Sequence, residues 1–331
     1  MKNDYKYTVS TICMTYNHAQ FIEDTLHGFS IQETDFPVVF IVIDDASTDG
    51  EPEVLKRWAY DNLAMDDKSL WQDKPYGKRV VASLRGKPQF TFVILLLSDN
   101  HYQKRISYKK REYISEWNDN AKYCALCEGD DYWINPFKLQ IQVSLLDRTP
   151  EASICSGDWA FHEEKSYVSR GNNDREIDYY NYTINDWINK WLTKTLTVMY
   201  RTSCLTHGEY VDLRNKYKYF RDVHIFYHLL RKGQGIFVNK VLGCYRKHSG
   251  GMFSSISVQE KITVNFLCYK EIYENNQDDE SARVLYYRGL LQMIDGNFES
   301  YSKNKLLRNA FKVSNTIIER MRVIKHYLMG Q

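Results

Sequence analysis

Long apolar runs are missing from this chain. The longest wholly aliphatic or aromatic stretches, VVFIVI and FVILLL, have six residues, where a bilayer span needs about 20. The opening MKNDYKYTVS carries no apolar signal-like segment, so the chain reads as cytoplasmic and unspanning. An excess of one charge is missing too. Forty-four Lys and Arg against 42 Asp and Glu leave +2, too balanced for a protein whose main task is neutralising a nucleic-acid backbone, and no nucleic-acid partner is expected. Cysteine is odd in number, at 7, and sits mostly in apolar segments such as TICM and VLGCY. Reduced, buried thiols follow, rather than a disulfide framework. Cys124 and Cys127 spell CxxC, but with no second CxxC or ligand histidine beside them they do not make a zinc site. Four motifs are also absent: GxGxxG after the first strand, GxxxxGK[ST], HExxH and GxSxG. Their absence removes the glycine-rich phosphate cradles and the most recognisable hydrolase sites.

What is present is an ordinary globular composition, 43% hydrophobic and 15% aromatic in 331 residues, enough for one large domain with an appendage or for two domains. The first 150 residues alternate strand-like and helix-like segments, the pattern of a parallel α/β sheet. Thr8 to Met14 reads as a strand, followed by Asn17 and Gln20 at capping-box spacing and a helix bearing Ile22, Leu26 and Phe29. Phe36 to Ile43 is β-branched and apolar throughout, a strand buried on both faces that ends at Asp44-Asp45. Pro52 opens the next helix. Residues 61 to 90 show no period and read as an insertion before strand Phe90 to Leu97. Ser107 to Asn118 reads as a basic helix, and the basic stretch Lys104, Arg105, Lys109, Lys110 and Arg111 as a solvated helix face. Strand Tyr123 to Cys127 again ends in acid, Glu128-Gly129-Asp130-Asp131, before a helix capped by Asn135 and Pro136. Beyond Glu151 come strands at 152–161, 196–200 and 235–245 and a helix at 222–230; from Val258 the pattern is helical, with a turn at Asp295-Gly296-Asn297.

The two acidic clusters fall at the carboxyl ends of expected parallel strands, the rim where open α/β sheets bind ligands. Carboxylates gathered at a rim repel one another unless a cation sits among them, and hard cations such as Mg²⁺ or Mn²⁺ prefer oxygen ligands and hold substrate phosphates. DDASTDG taken alone is also a plain turn and cap sequence. The coincidence of two clusters is what points to a nucleotide-phosphate site.

Four separated motifs, VSTICMTYNHAQFIEDTL, VIDDASTDG, ALCEGDDYWINPFKLQIQVSLL and YRKHSGGMFS, resemble the inverting family 2 glycosyltransferases of GT-A fold, of the bacterial surface-polysaccharide type, over residues 7–255. The resemblance implies that Thr15, Tyr16 and Asp44 line the nucleoside pocket and that EGDDYW stands at the family's DXD position. Asp130 would then lie near the ribose and Asp131 on the metal, Mn²⁺ or Mg²⁺. Glu128 replaces the more usual Asp at the head of that motif. His248 would contact the diphosphate or its metal, with Arg246 assisting. The resemblance places the general base at Asp222, next to Arg221 where relatives commonly carry a second acid. Tyr132 and Trp133, which follow the acids, read as packing residues. The donor implied is a UDP-sugar and the acceptor a hydroxyl of a glycan or lipid-linked oligosaccharide; the alternative is a catalytically silent nucleotide-sugar or carbohydrate-binding subunit.

The organisation expected is a GT-A-like domain over 1–255, with a donor half at 1–135 and an acceptor half at 136–255, followed by a helical extension at 256–331. In that extension Ile317, Met321, Ile324 and Leu328 share one helical face among Arg320, Arg322 and Lys325. Such a helix lies on an anionic membrane surface at the inner face or packs on its neighbours, and packing is the reading preferred.

Overall fold

The computed structural model describes residues 5–66, 70–162, 167–168, 178–251, 255–296, 298 and 301–328. Two compact units divide the chain: residues 1–211 with 228–247, and residues 212–227 with 248–331.

The first unit is built on one mixed sheet. Its elements begin with β1 (Tyr7–Thr15), α1 (Ile22–Ser30), β2 (Val38–Asp44), α2 (Glu51–Asn62), β3 (Leu63–Ala64), β4 (Gln72–Lys74), β5 (Gly77–Leu84) and β6 (Lys87–Leu97). They continue through α3 (Lys109–Asn118), β7 (Ala121–Leu126), β8 (Tyr132–Trp133), α4 (Lys138–Arg148), β9 (Ala152–Phe161), β10 (Tyr167–Val168), β11 (Tyr179–Tyr182), α5 (Ile184–Lys190) and β12 (Met199–Arg201), while α6 (His207–Lys216) has residues in both units. After α7 (Asp222–Lys232), β13 (Gln234–Tyr245) completes the sheet, whose order is β11-β13-β9-β12-β7-β1-β2-β6-β5-β3. The centre is parallel, with β1 between β2 and β7 and β2 beside β6. The flanks are antiparallel, apart from the β9–β13 pair. This is the α/β class expected, with helices on a central sheet.

The parallel register explains the rim. Thr15 pairs with Asp44, and Asp44 with Leu96, so the strands end together. All seven residues of β2 are buried, as its unbroken apolar run requires. Phe29, Phe40, Phe90 and Phe92 are fully buried, and Phe40 lies 5.1 Å from Phe29 and 4.9 Å from Phe92 between ring centroids. Each such side chain contributes about 1.5–3 kcal/mol by burial, which makes the sheet a rigid base for the loops at its rim. The seven cysteines are free; Cys204 is half-buried and the others are buried.

Several local expectations are corrected. Asn17 does not cap α1, which starts at Ile22 behind an N-cap Phe21 with no side-chain bond. Asn17 instead holds φ at 57° and its side-chain oxygen accepts the Thr48 amide at 2.8 Å, because that side chain bridges two loops. Helix α4 starts at Lys138 rather than Pro136, although Asn135 Oδ1 accepts the Phe137 amide at 2.9 Å. The described residues within 61–90 include strands β3 to β5 and the start of β6, paired antiparallel at the edge of the sheet. Expected strand 196–200 shrinks to β12 after a short 3-10 turn at Thr195–Thr197. The basic face of α3 is not wholly solvated: Lys110 and Arg111 are 5% and 6% exposed. Lys110 pairs with Asp45 at 2.8 Å and Arg111 donates to the Tyr200 hydroxyl at 2.9 Å.

The second unit is helical in α8 (Val258–Glu274), α9 (Glu280–Asp295), α10 (Lys303–Val313) and α11 (Ile317–Leu328). Ser257 opens α8 with a complete capping box through Glu260, and Asp279 caps α9 by accepting the Ser281 and Ala282 amides. Asn297, in the expected turn, and residues 252–254 of the last motif lie outside the described residues. The preferred packing of the α11 face is overturned. Ile317, Met321, Ile324 and Leu328 are 76%, 64%, 47% and 65% exposed. Helix α11 is held from its other side by buried Val323, by the Tyr287 hydroxyl donating to Glu319 O at 2.9 Å, and by the Arg283–Glu319 pair.

Candidate functional site

The site lies where β1, β2 and β7 end. After β1 the chain turns through 16–21, and Asp45 N donates to Thr15 O at 3.0 Å, locking the ends of β1 and β2 together. Glu51, the first residue of α2, is fully buried beneath them. Its Oε1 accepts the Thr15 hydroxyl at 2.5 Å, and its Oε2 accepts the His18 amide and the Ser47 hydroxyl, each at 2.9 Å. A carboxylate at a helix N-terminus is favoured by the macrodipole, and here it also ties loop 15–18 to loop 44–51.

Asp44 is fully buried, and it accepts the Ser47 amide at 3.2 Å and the Ser47 hydroxyl. Burial pushes its carboxyl up to about 7, against the Ser47 hydrogen bonds that lower it. The folded state therefore keeps a proton that the unfolded chain releases near pH 4, so this group costs stability as pH rises through about 7. Asp44→Asn should gain stability relative to wild type from pH 4 to 7 and hold that gain above 7, as read by chemical denaturation across pH. A constant difference would show that Asp44 does not titrate in this window.

Asp45, its neighbour, faces away from that role. Its carboxylate accepts the His101 and Tyr102 amides at 2.9 and 3.1 Å and pairs with Lys110, so it anchors the segment after β6.

The second cluster follows β7. Gly129 N donates to Met14 O at 3.0 Å, and a Cβ at Gly129 would lie 2.1 Å from Thr15 Oγ1, so only glycine lets the acidic loop pack on β1. Thr25 of α1 donates to Gly129 O and Asp131 O at 3.0 and 2.7 Å. Ligand oxygens of Glu128, Asp130 and Asp131 lie within 4.8 Å of one another; Glu128 is exposed, Asp130 half-buried and Asp131 1% exposed. Asp131 Oδ1 accepts the Arg246 amide at 2.9 Å, while Asp131 Oδ2 is buried with no hydrogen-bond partner among the described residues. Burial, then the charges of Asp130 and Glu128, hold the Asp131 carboxyl well above its usual range. A buried oxygen without a partner beside two more carboxylates could hold a hard divalent cation.

Arg246, at the end of β13, is engaged on every side. Its guanidinium donates to Asp130 O at 2.9 Å and to Asp24 at 2.6 Å, 4.6 Å from the Phe21 ring centroid and 4.9 Å from that of Tyr132. It braces the acidic loop. Trp133 packs as expected: it is 1% exposed, donates to Leu196 O at 2.8 Å and meets Phe29 edge-on at 4.8 Å.

With this geometry in place, comparison with solved structures decides the fold. Crystal structures of S. aureus TarS 1–349 match with TM-scores of 0.55 in complex with UDP-GlcNAc and 0.53 in complex with UDP. Identity is 18% and 16%, over 96% of this chain and 79% and 78% of theirs. The chain has their fold. No family model matches it. Uncharacterized proteins Rv1520 of Mycobacterium tuberculosis and Mb1547 of Mycobacterium bovis are 30% identical over 171 residues, 51% of this chain. The chain spans 38% of the length of these curated relatives.

Thr15, Tyr16, Asp44, Asp130, Asp131 and Arg246 thus belong to one rim of the first unit. Asp222 and His248 belong to the second. Glu51, Asp24 and Thr25 were not singled out from the sequence, and Lys110 was read there only as part of a solvated face. A first-turn acid after a glycine was the visible signal for Glu51, but only the fold shows that its carboxylate is buried under Thr15.

Proposed function

We propose that this chain is a metal-dependent inverting family 2 glycosyltransferase that moves a sugar from a UDP-sugar to a hydroxyl of a glycan or lipid-linked oligosaccharide in surface-polysaccharide synthesis. The observation that carries it is the orphan Asp131 Oδ2 in an acidic loop, at the strand-end rim of a fold shared with a protein solved with UDP-GlcNAc. Asp131 and His248 would hold Mn²⁺ or Mg²⁺, which when bound supplies positive charge to the diphosphate leaving group. Thr15, Tyr16 and Asp44 line the nucleoside pocket, and Asp130 sits by the ribose. In this reading Arg246 assists at the diphosphate and also holds the acidic loop, its guanidinium donating to Asp130 O and its amide to Asp131.

Asp222 acts as general base. Its carboxylate takes the acceptor hydroxyl proton as the acceptor oxygen bonds to the anomeric carbon and the bond to the diphosphate breaks on the opposite face, with inversion. The test is turnover with UDP-, GDP-, CMP- and dTDP-sugars, with the product anomer read by proton NMR. Transfer with inversion supports the reading; binding of donor without any turnover supports the silent binding subunit.

The same reading brings the protein to the inner membrane face. No helix among the described residues is long and apolar enough to cross a membrane. The exposed row Ile317, Met321, Ile324 and Leu328, flanked by exposed Arg320, Arg322 and Lys325, suits an anionic surface. Sedimentation with phosphatidylglycerol vesicles should fall sharply when the chain is cut before Asn315 or when the three cations are replaced by Glu. Unchanged sedimentation would contradict this contact.

A further inference from the structure

The segment that carries Asp222 is compact with the helical extension rather than with the sheet: residues 212–227 group with 248–331. Between the end of α6 at Lys216 and the start of α7 at Asp222 the backbone has no regular structure. The Tyr217 amide still reaches back to Leu213 O at 3.3 Å, but the amides that follow it have no regular ladder to pair with.

Helix α8 supplies partners for two of them. The Glu271 carboxylate accepts the Lys218 amide on Oε1 at 3.0 Å and the Tyr219 amide on Oε2 at 2.9 Å. Cys268, on the same helix, donates through Sγ to Tyr219 O at 3.4 Å. Just beyond α8, Asn276 Nδ2 donates to the hydroxyl of Tyr217, which is 2% exposed. The far end of the segment is held by His224, fully buried, whose Nδ1 accepts the Arg221 amide at 3.1 Å. Burial pushes His224 down to about 4, so at neutral pH it is the uncharged ring this bond requires. Asp222 then enters α7 with Oδ1 accepting the Val223 amide at 2.8 Å. Charge-assisted bonds to both carboxylate oxygens are stronger and more directional than neutral ones, so Glu271 fixes the approach to Asp222.

We propose that Glu271 is a positioning residue for the general base, and that the helical extension serves catalysis by holding the Asp222 segment. This inference rests on the reading of Asp222 as base.

The test uses the full chain with Glu271→Ala, Glu271→Gln, Asp222→Asn and the Asp222→Asn/Glu271→Ala double variant. In Glu271→Ala, hydrogen exchange at the Lys218 and Tyr219 amides should rise at least about tenfold while β1 amides are unchanged. Turnover of the sugar-nucleotide donor should fall about tenfold in kcat, with donor KM and UDP affinity within about twofold of wild type. Glu271→Gln, which keeps one acceptor oxygen, should fall between. The double variant should be no slower than Asp222→Asn, because the two residues act through one group. Unchanged exchange, unchanged kcat, or a loss that multiplies onto that of Asp222→Asn overturns the proposal. The failures are separable. Wild-type turnover in Asp222→Asn removes the base itself, and absence of turnover with every donor removes the glycosyltransferase reading; in both cases the exchange result still decides whether Glu271 holds the segment.

Discussion

Asp131→Asn is expected to abolish the thermal stabilisation that UDP with Mn²⁺ confers on the wild-type protein. The substitution is close to isosteric, and the amide oxygen can still accept the Arg246 amide that Asp131 Oδ1 now accepts. The acidic loop should therefore keep its shape, secured by Thr25 and by the guanidinium of Arg246. What disappears is the carboxylate at Oδ2, the oxygen without a partner among the described residues. Burial and the neighbouring acids hold the Asp131 carboxyl high, so an ionised Asp131 costs stability at neutral pH and its neutral replacement should not lower the melting temperature of the ligand-free protein. The ligand-induced shift should vanish, which corresponds to at least about 100-fold in affinity. A full shift in Asp131→Asn would take Asp131 out of the metal set.

The second large effect separates binding from chemistry. Asp222→Asn should leave UDP binding near wild type and reduce transfer by about 10²-fold or more, the usual contribution of a positioned base. Asn keeps an acceptor for the Val223 amide that Asp222 Oδ1 now accepts, so the α7 start should survive. Equal losses in affinity and rate would point to a structural role, and retained transfer would remove the base assignment.

The parts of the fold that were legible in the sequence are those whose pattern is local. VVFIVI is a buried parallel strand because a strand covered on both faces has no polar side to show. The two acidic clusters fell at strand ends because parallel strands joined by helices end on one rim, and the register of Thr15, Asp44 and Leu96 bears this out. Long-range contacts were not legible. Lys110 belongs to a run of cations that reads as a solvated face, and only the end of β2 supplies the Asp45 carboxylate that buries it. Asn17 has the chemistry of a helix cap, and a loop 31 residues away took its side chain instead. The α11 face failed in the opposite sense: its apolar row has the period of a packed helix, yet the neighbouring helices hold it from the side of Val323. The acidic loop around Asp131 was visible as a motif, whereas its oxygen without a partner among the described residues appears only when the Arg246 amide is seen to occupy the other one.

We propose a nucleotide-diphosphate site that depends on a divalent cation. Calorimetric titration of UDP into the wild-type chain, with and without Mn²⁺, tests it most directly. Saturable binding of one UDP that requires Mn²⁺ is the expected result, and absence of UDP binding under both conditions would contradict it.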